Sequence, residues 1–283
     1  MKSVIFEYDN ITHQLETMLR LFHNWLKDQY ITTKPVKITF TNDTLYVNGC
    51  IEDTVVLKES RKIIYSLNDI EDYRQPESYY SKSVSAEDNV LLTVLYDICR
   101  ELALFFIADK RQQSYGAVLK SHKDDQTVTF LQQKMMYQYY FLKYKPTPIT
   151  ENTIAVSYTR QVDKHLKKTL QLCTQYIKGQ FNFPMPVDIK ISAKEYDFAG
   201  QYSAPHSPFD KAIIKVTAKD YPYLVEQLGH YDAELNICRI LLHEVLHYQL
   251  WIDSKWFINV EEEEKVVEEL EDKHINLFID EYM

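Results

Sequence analysis

The stretch from Ile237 to Trp251, I-C-R-I-L-L-H-E-V-L-H-Y-Q-L-W, most constrains what this chain can fold into. Its apolar residues would cover nearly every side of a helix, which is typical of a helix buried inside a domain. Asp232 is a suitable N-cap residue for that helix. The polar side chains of His243, Glu244 and His247 would then lie in apolar surroundings, where each polar group needs a partner.

These three side chains form an H-E-x-x-H motif, His243-Glu244-Val245-Leu246-His247. Residues four apart share one face of a helix, so both imidazoles can bind one metal ion while Glu244 reaches a water molecule on it. Two neutral nitrogen ligands and a carboxylate suit catalytic Zn²⁺, which keeps one coordination position open. The motif predicts zinc bound by His243 and His247, with Glu244 as general base. The alternative is a buried helix whose histidines only satisfy hydrogen bonds.

A catalytic zinc needs a further protein ligand, and the acidic run Glu261 to Glu264 offers candidates. On a helical projection Glu263 lies near the middle of the apolar stripe of the last helix, and its two neighbours lie about 100° to either side. A carboxylate that points into the core is costly unless it is paired or bound to metal. We therefore expect Glu263 as the third ligand, then Glu264, with Asp253 and His274 as less favoured candidates.

Composition excludes several classes of protein. The 283 residues, 45% of them hydrophobic, suffice for one large domain or two ordinary ones. A net charge of −9 argues against nucleic acid as a partner. The four cysteines form no C-x-x-C pair, which argues against a zinc ribbon or a disulfide framework. No stretch resembles a signal peptide or a membrane span, so we expect a soluble, cytoplasmic protein without a membrane partner.

The second half of the chain repeats the order of predicted elements in the first. Each half reads as a helix, several strands, an apolar helix and a terminal helix, and the prolines of K-P-T-P at 145–148 mark the boundary. Six identities recur 151 positions later, at Leu19/Leu170, Leu21/Leu172, Lys27/Lys178, Gln29/Gln180, Pro35/Pro186 and Val36/Val187. We predict an α+β fold with two tandem domains, 1–146 and 150–283, each with a small mixed or antiparallel sheet. The alternative is a likeness of composition alone.

The same alignment compares the metal motif with the first half. Ile63-Ile64 falls on Ile213-Ile214, Gly49 on Gly200 and Asn89 on Asn236. Continuing from Asn89, the residues Tyr96, Asp97 and Arg100 stand where His243, Glu244 and His247 stand. Arginine has no lone pair to offer a metal ion. We therefore expect a first domain without a metal site, in which Asp97 and Arg100 pair on one helix face.

The C-terminal half resembles zinc metallopeptidases of the gluzincin group, whose H-E-x-x-H helix is followed by an acidic E-E-x-V helix, here Glu263 to Val266. The segments F-A-G-Q-Y-S and K-A-I-I-K-V-T resemble the edge hairpin of SprT-like metalloproteases. Those proteins have a third histidine soon after the motif, whereas this chain has Asp253 and no histidine before His274. The resemblance implies peptide hydrolysis, with an edge strand pairing with an extended substrate.

Under that resemblance, Tyr202 or His206 would stabilise the oxyanion formed during hydrolysis. The alternative for this pair is a surface aromatic residue and a loop histidine. We thus expect a zinc-dependent endopeptidase that cleaves protein or peptide substrates in the cytoplasm, with the first domain serving structure or substrate recruitment. The alternative function is a non-catalytic protein-binding or inhibitor module built on the same scaffold.

Overall fold

The computed structural model describes residues 4–9, 11–29, 34–48, 50–52, 54–68, 85–144, 153–194, 196–205, 210–253 and 260–283. The chain has an α+β fold, as predicted. It divides into two compact units, Met1–Tyr139 and Tyr140–Met283. The domain boundary predicted at 146–150 lies outside the described residues.

The first unit combines helices with a four-stranded mixed sheet. Its strands are β1 (Val4–Asp9), β2 (Val36–Thr41), β3 (Leu45–Val47), β4 (Cys50–Glu52), β5 (Thr54–Leu57) and β6 (Lys62–Ser66). Its helices are α1 (His13–Gln29), α2 (Ala86–Arg111), α3 (Tyr115–Lys120) and α4 (His122–Tyr139). The main sheet has the order β1-β2-β6-β5, in which only β5 is antiparallel to its neighbour, and β3 pairs with β4 separately.

The second unit begins with a π-helical turn, Tyr140–Tyr144, and has its own four-stranded sheet. Its strands are β7 (Ile154–Tyr158), β8 (Val187–Ser192), β9 (Gly200–Ser203) and β10 (Ala212–Thr217). Its helices are α5 (Lys164–Gln180), α6 (Tyr221–Leu228), α7 (His230–Ile252) and α8 (Val260–Tyr282). The order is β7-β8-β10-β9, with β9 antiparallel to β10 at one edge.

The two sheets share strand order and strand directions, and their registers correspond. Ile38 pairs with Ile63 in the first sheet as Ile189 pairs with Ile214 in the second, and both correspondences span 151 positions. The sequence alignment set Ile63 on Ile213, so it was one residue out of register at this strand.

The pairing of the edge strands β5 and β9 also corrects the alignment of Gly49 with Gly200. Gly200 pairs with Val216, and the equivalent pair in the first sheet joins Thr54 to Tyr65. Thr54, rather than Gly49, therefore holds the position of Gly200. Gly49 itself lies outside the described part of the chain.

Alternating apolar residues explain the central strands of the second unit. In β8 the side chains of Val187, Ile189 and Ile191 are buried, and the residues between them face outward or lie half-buried. This two-residue period is what a strand requires to place one face on a core. The sheet therefore presents an apolar face, and α7 packs against its β10 and β9 strands.

The start of α7 differs from the sequence prediction. The helix begins at His230, and its N-cap is Gly229 rather than Asp232. Gly229 also ends α6 and has φ +83° and ψ 168°, a conformation that is open almost only to glycine. One glycine thus joins α6 directly to α7.

The C-terminal helix α8 packs on α7 and on α5. Leu246, Leu250 and Val267 form a buried cluster between α7 and α8, and Phe181, Val266 and Leu270 pack around it. This cluster fixes the position of the acidic end of α8 against the H-E-x-x-H residues. Within the described residues, no helix combines the length and apolar character needed to cross a membrane.

Candidate metal centre

Two histidines of α7 and one carboxylate of α8 converge on a single point. His243 and His247 lie one turn apart, with their Nε2 atoms separated by 3.2 Å. Glu264 places one carboxylate oxygen 3.2 Å from His243 Nε2 and the other 3.4 Å from His247 Nε2. The three side chains form a group that could hold a metal ion.

The spacing of these donor atoms fits a small divalent ion. Zinc ligands at about 2.0–2.2 Å in a tetrahedral arrangement lie about 3.3–3.6 Å from one another. The two Nε2 atoms are 3.2 Å apart and Glu264 Oε2 lies 3.2 Å from His243 Nε2, both close to that spacing. With one ligand atom taken from each residue, all three lie within 4.8 Å of one another. Two imidazole nitrogens and one carboxylate also suit other divalent transition metals, so the geometry alone does not select the element.

Both imidazoles are held at their other ring nitrogen by a carboxylate. Glu271 lies 2.7 Å from His243 Nδ1, and Glu263 lies 2.9 Å from His247 Nδ1. A carboxylate at Nδ1 fixes the proton there and leaves the Nε2 lone pair free to bind a metal ion. The arrangement therefore orients both histidines toward the point that Glu264 also reaches.

Of the two predicted glutamates, Glu264 is the one that groups with the two histidines. Glu263 is the more buried, with 15% side-chain exposure against 38% for Glu264, as its place on the apolar stripe implied. It nevertheless contacts Nδ1 of His247, and Glu264 is the residue that meets the two Nε2 atoms. A helical projection identifies the face of α8 but not its axial offset against α7, which decides between adjacent residues.

The electrostatics of the centre favour a cation. Burial lowers the pKa of His247, but its bond to Glu263 and the charges of Glu263, Glu264 and Glu244 outweigh this and raise that pKa above its usual value. These carboxylates therefore favour positive charge at the imidazole. A metal ion at the Nε2 atoms would take the place of that positive charge.

Glu244 lies beneath the edge strand β9. Its side chain is buried, and the Tyr202 backbone N–H donates a hydrogen bond to its carboxylate. Burial raises the pKa of Glu244, against the lowering effects of His247, His243 and this hydrogen bond. A Cβ atom added to Gly200 would lie 2.5 Å from Glu244 Oε1, so only glycine allows the strand to approach this closely.

Of the two residues proposed to stabilise the oxyanion, the structure describes Tyr202 but not His206. The Tyr202 hydroxyl is buried and has no hydrogen-bond partner among the described residues, and its ring packs edge-on against Tyr248 with centroids 6.1 Å apart. Burial, and then the charges of Tyr248 and Glu263, raise its pKa well above the usual value, so the phenol stays protonated. His206 lies outside the described residues. The oxyanion role of either residue remains a prediction.

The two outlying candidates for a third ligand lie away from the centre. Asp253 ends α7 and accepts a hydrogen bond from the Gln249 side chain at 3.0 Å. His274 Nδ1 lies 2.8 Å from the Tyr176 hydroxyl, and its ring packs against Phe181 with centroids 4.6 Å apart. Both side chains serve local structure.

The sequence did not single out Glu271, which completes the centre. Helical spacing could have indicated it, because Glu264 and Glu271 are seven residues apart and so share one face of α8. The carboxyl group of Glu271 also bonds to Arg239, one turn before His243 on α7.

The corresponding helix of the first unit carries a different network. Asp97 accepts a hydrogen bond from the Tyr65 hydroxyl at 3.0 Å, and Arg100 bonds to Glu101 at 3.0 Å. The Tyr115 hydroxyl also donates to Glu101. The predicted pairing of Asp97 with Arg100 was wrong, because Arg100 takes the next residue along the helix. In the described part of this unit no group of potential ligands resembles the metal centre.

Comparison of the chain with protein-family models, with curated proteins and with solved structures gives no match. The fold and the geometry of the centre are therefore the basis for a functional proposal.

Proposed function

We propose that the second unit is a zinc-dependent peptidase that cleaves protein or peptide substrates in the cytoplasm. One observation carries the proposal, namely the convergence of His243, His247 and Glu264 at separations suited to one ion, next to a buried glutamate. His243, His247 and Glu264 would hold the zinc. When bound, zinc supplies a Lewis acid that polarises a carbonyl group and lowers the pKa of water.

The residues around the centre divide the remaining chemistry. Glu244 accepts a proton from the attacking water and later returns it to the leaving amine, a role favoured by a carboxyl pKa raised above its usual value. Glu263 and Glu271 keep the two imidazoles oriented. The strand β9 is an edge strand directly against Glu244, and an extended peptide pairing with this edge would place its backbone beside the carboxylate.

The substitution Glu244→Gln tests this mechanism. It preserves the shape of the side chain but removes the base, so we expect zinc content to stay at the wild-type level and cleavage of a casein substrate to fall by about 10²–10⁴-fold. Zinc is measured by atomic absorption and cleavage by peptide release. Glu226→Gln, an exposed change on α6, serves as the matched control. Cleavage retained by the Glu244 variant contradicts the assignment, and iron or manganese in place of zinc contradicts the choice of metal.

The first unit favours one alternative, a non-catalytic binding module on the same scaffold. Its sheet has the same strand order, yet its helix α2 carries the Asp97 and Arg100 contacts in place of metal ligands. A scaffold that is kept without the site is suited to binding another protein. Under this alternative, cleavage is absent from the wild type and partner binding survives Glu244→Gln.

A further inference from the structure

Arg239 extends the row of functional side chains on α7. Arg239, His243 and His247 are spaced by four residues, so they occupy successive turns on one face of the helix. The facing residues of α8 run in the opposite direction, with Glu263 and Glu264 beside His247 and Glu271 beside His243 and Arg239. The two helices therefore meet along a continuous ladder of charged and polar contacts.

The Glu271 carboxylate is bonded at both oxygen atoms. Its Oε2 lies 2.7 Å from His243 Nδ1, and its Oε1 accepts a hydrogen bond from Arg239 Nη1 at 3.0 Å. The Glu271 side chain is only 11% exposed, whereas Arg239 is 45% exposed and also bonds to Asp272 at 2.8 Å. A buried carboxylate with one partner can rotate about its last bond, but partners at both oxygens fix its plane.

We propose that Arg239 is a positioning residue for the metal centre, which acts on His243 through Glu271. The inference rests on the proposed metal site. Arg239 offsets the charge of the buried carboxylate and holds it against Nδ1, so that the carboxylate orients the ring instead of turning toward the ion as a competing ligand. The His243 imidazole is thereby fixed with Nε2 toward Glu264 and His247. Arg239 itself touches neither the ion nor the substrate.

Metal affinity and the spectrum of the cobalt-substituted protein test the proposal without measuring activity. The full chain is titrated with zinc against a chromophoric chelator, and the visible bands of bound Co²⁺ report the ligand geometry. We expect Glu271→Gln to weaken zinc binding by about 10–100-fold and to alter the cobalt spectrum. Arg239→Gln should produce a smaller loss with a change of the same kind, and Arg239→Lys should restore most of the affinity.

Glu268→Gln is the charge-matched control, because it removes one carboxylate from the exposed side of α8 and leaves the Glu271 contacts intact. Its affinity and spectrum should equal those of the wild type. Since Arg239 is partly exposed, its variants remain informative if Glu271→Gln fails to fold. If Arg239→Gln matches Glu268→Gln in affinity and spectrum, the positioning role is refuted. If the wild-type chain binds neither zinc nor cobalt, the proposed metal site itself fails.

Discussion

Gly200 shows how a single residue without a side chain shapes the candidate site. Its position in β9 faces Glu244 and Ile240, and an added Cβ would lie 2.5 Å from Glu244 Oε1 and 2.8 Å from Ile240 Cγ2. Contacts that short require the Glu244 and Ile240 side chains, or the strand itself, to shift. The glycine therefore sets the distance between the edge strand and the proposed base.

The substitution Gly200→Ala should destabilise the protein by about 1–3 kcal/mol, because a methyl group is forced into a packed contact. It should also lower cleavage, since Glu244 or β9 must shift. Urea unfolding and peptide release measure the two effects. Gly179→Ala is the matched control, because no atom lies within 4 Å of its added Cβ and alanine favours the helix α5 by about 1 kcal/mol. Equal stability of the two variants would contradict the close approach at Gly200.

At the scale of elements, the sequence predicts the helix α7, which carries both histidines. It does not predict where α8 lies along α7. The four-residue spacing of His243 and His247 fixes their common face, and the structure places both Nε2 atoms together. The choice between Glu263 and Glu264 depends on how far α8 slides along α7. That offset is set by packing of Leu246, Leu250 and neighbouring side chains, which no helical projection contains.

Some elements were missed for a related reason. The strands β1 and β7 are short segments that precede the first helix of each unit, and each pairs in parallel with a strand beyond that helix. Their pairing is non-local, so the local alternation of V-I-F-E-Y and I-A-V-S-Y was a weak signal. The helix α6 was missed because Gly229 joins it to α7 without a loop.

The junction of α5 and α8 provides a prediction about pH. Burial, and then the charge of Lys273, lower the pKa of His274, whose Nδ1 contacts the Tyr176 hydroxyl. Burial also raises the Tyr176 pKa to about 12, so the phenol stays protonated and donates to the neutral imidazole. In the unfolded chain His274 regains its usual affinity for protons. The unfolded state therefore binds more protons below about pH 6.5, and stability falls as the pH decreases through that value.

His247, whose pKa is raised, acts in the opposite sense in the metal-free protein, so the prediction concerns the difference between variants. We expect the free energy of unfolding of His274→Gln to fall less, or rise more, from pH 7 to pH 5 than that of the wild type. Glutamine can still accept the hydrogen bond but does not titrate in this range. Unfolding in urea at several pH values measures the slope. His165→Gln, an exposed change on α5, controls for the loss of a histidine. A slope in the His274 variant equal to that of the wild type would exclude this residue as the source.

At the scale of the whole molecule, two units with one sheet topology differ in their chemistry. An offset of 151 positions relates β2 to β8 and β6 to β10, whereas Thr54 and Gly200 of the edge strands differ by 146 positions. In the second unit Val216 pairs with Gly200, which lies against Glu244. At the register position of Val216 the first unit has Tyr65, whose hydroxyl makes a hydrogen bond with Asp97.

This difference predicts one metal ion per chain, held entirely by the second unit. Zinc analysis of the purified full chain should give a ratio of one, and the double substitution His243→Ala with His247→Ala should abolish binding because both nitrogen donors of the centre are lost. Asp97→Asn is the control in the first unit, and it should leave the ratio at one because the Asp97 carboxylate is bonded to Tyr65 rather than to an ion. Two ions per chain, or one ion retained by the double variant, would show that the first unit also binds metal.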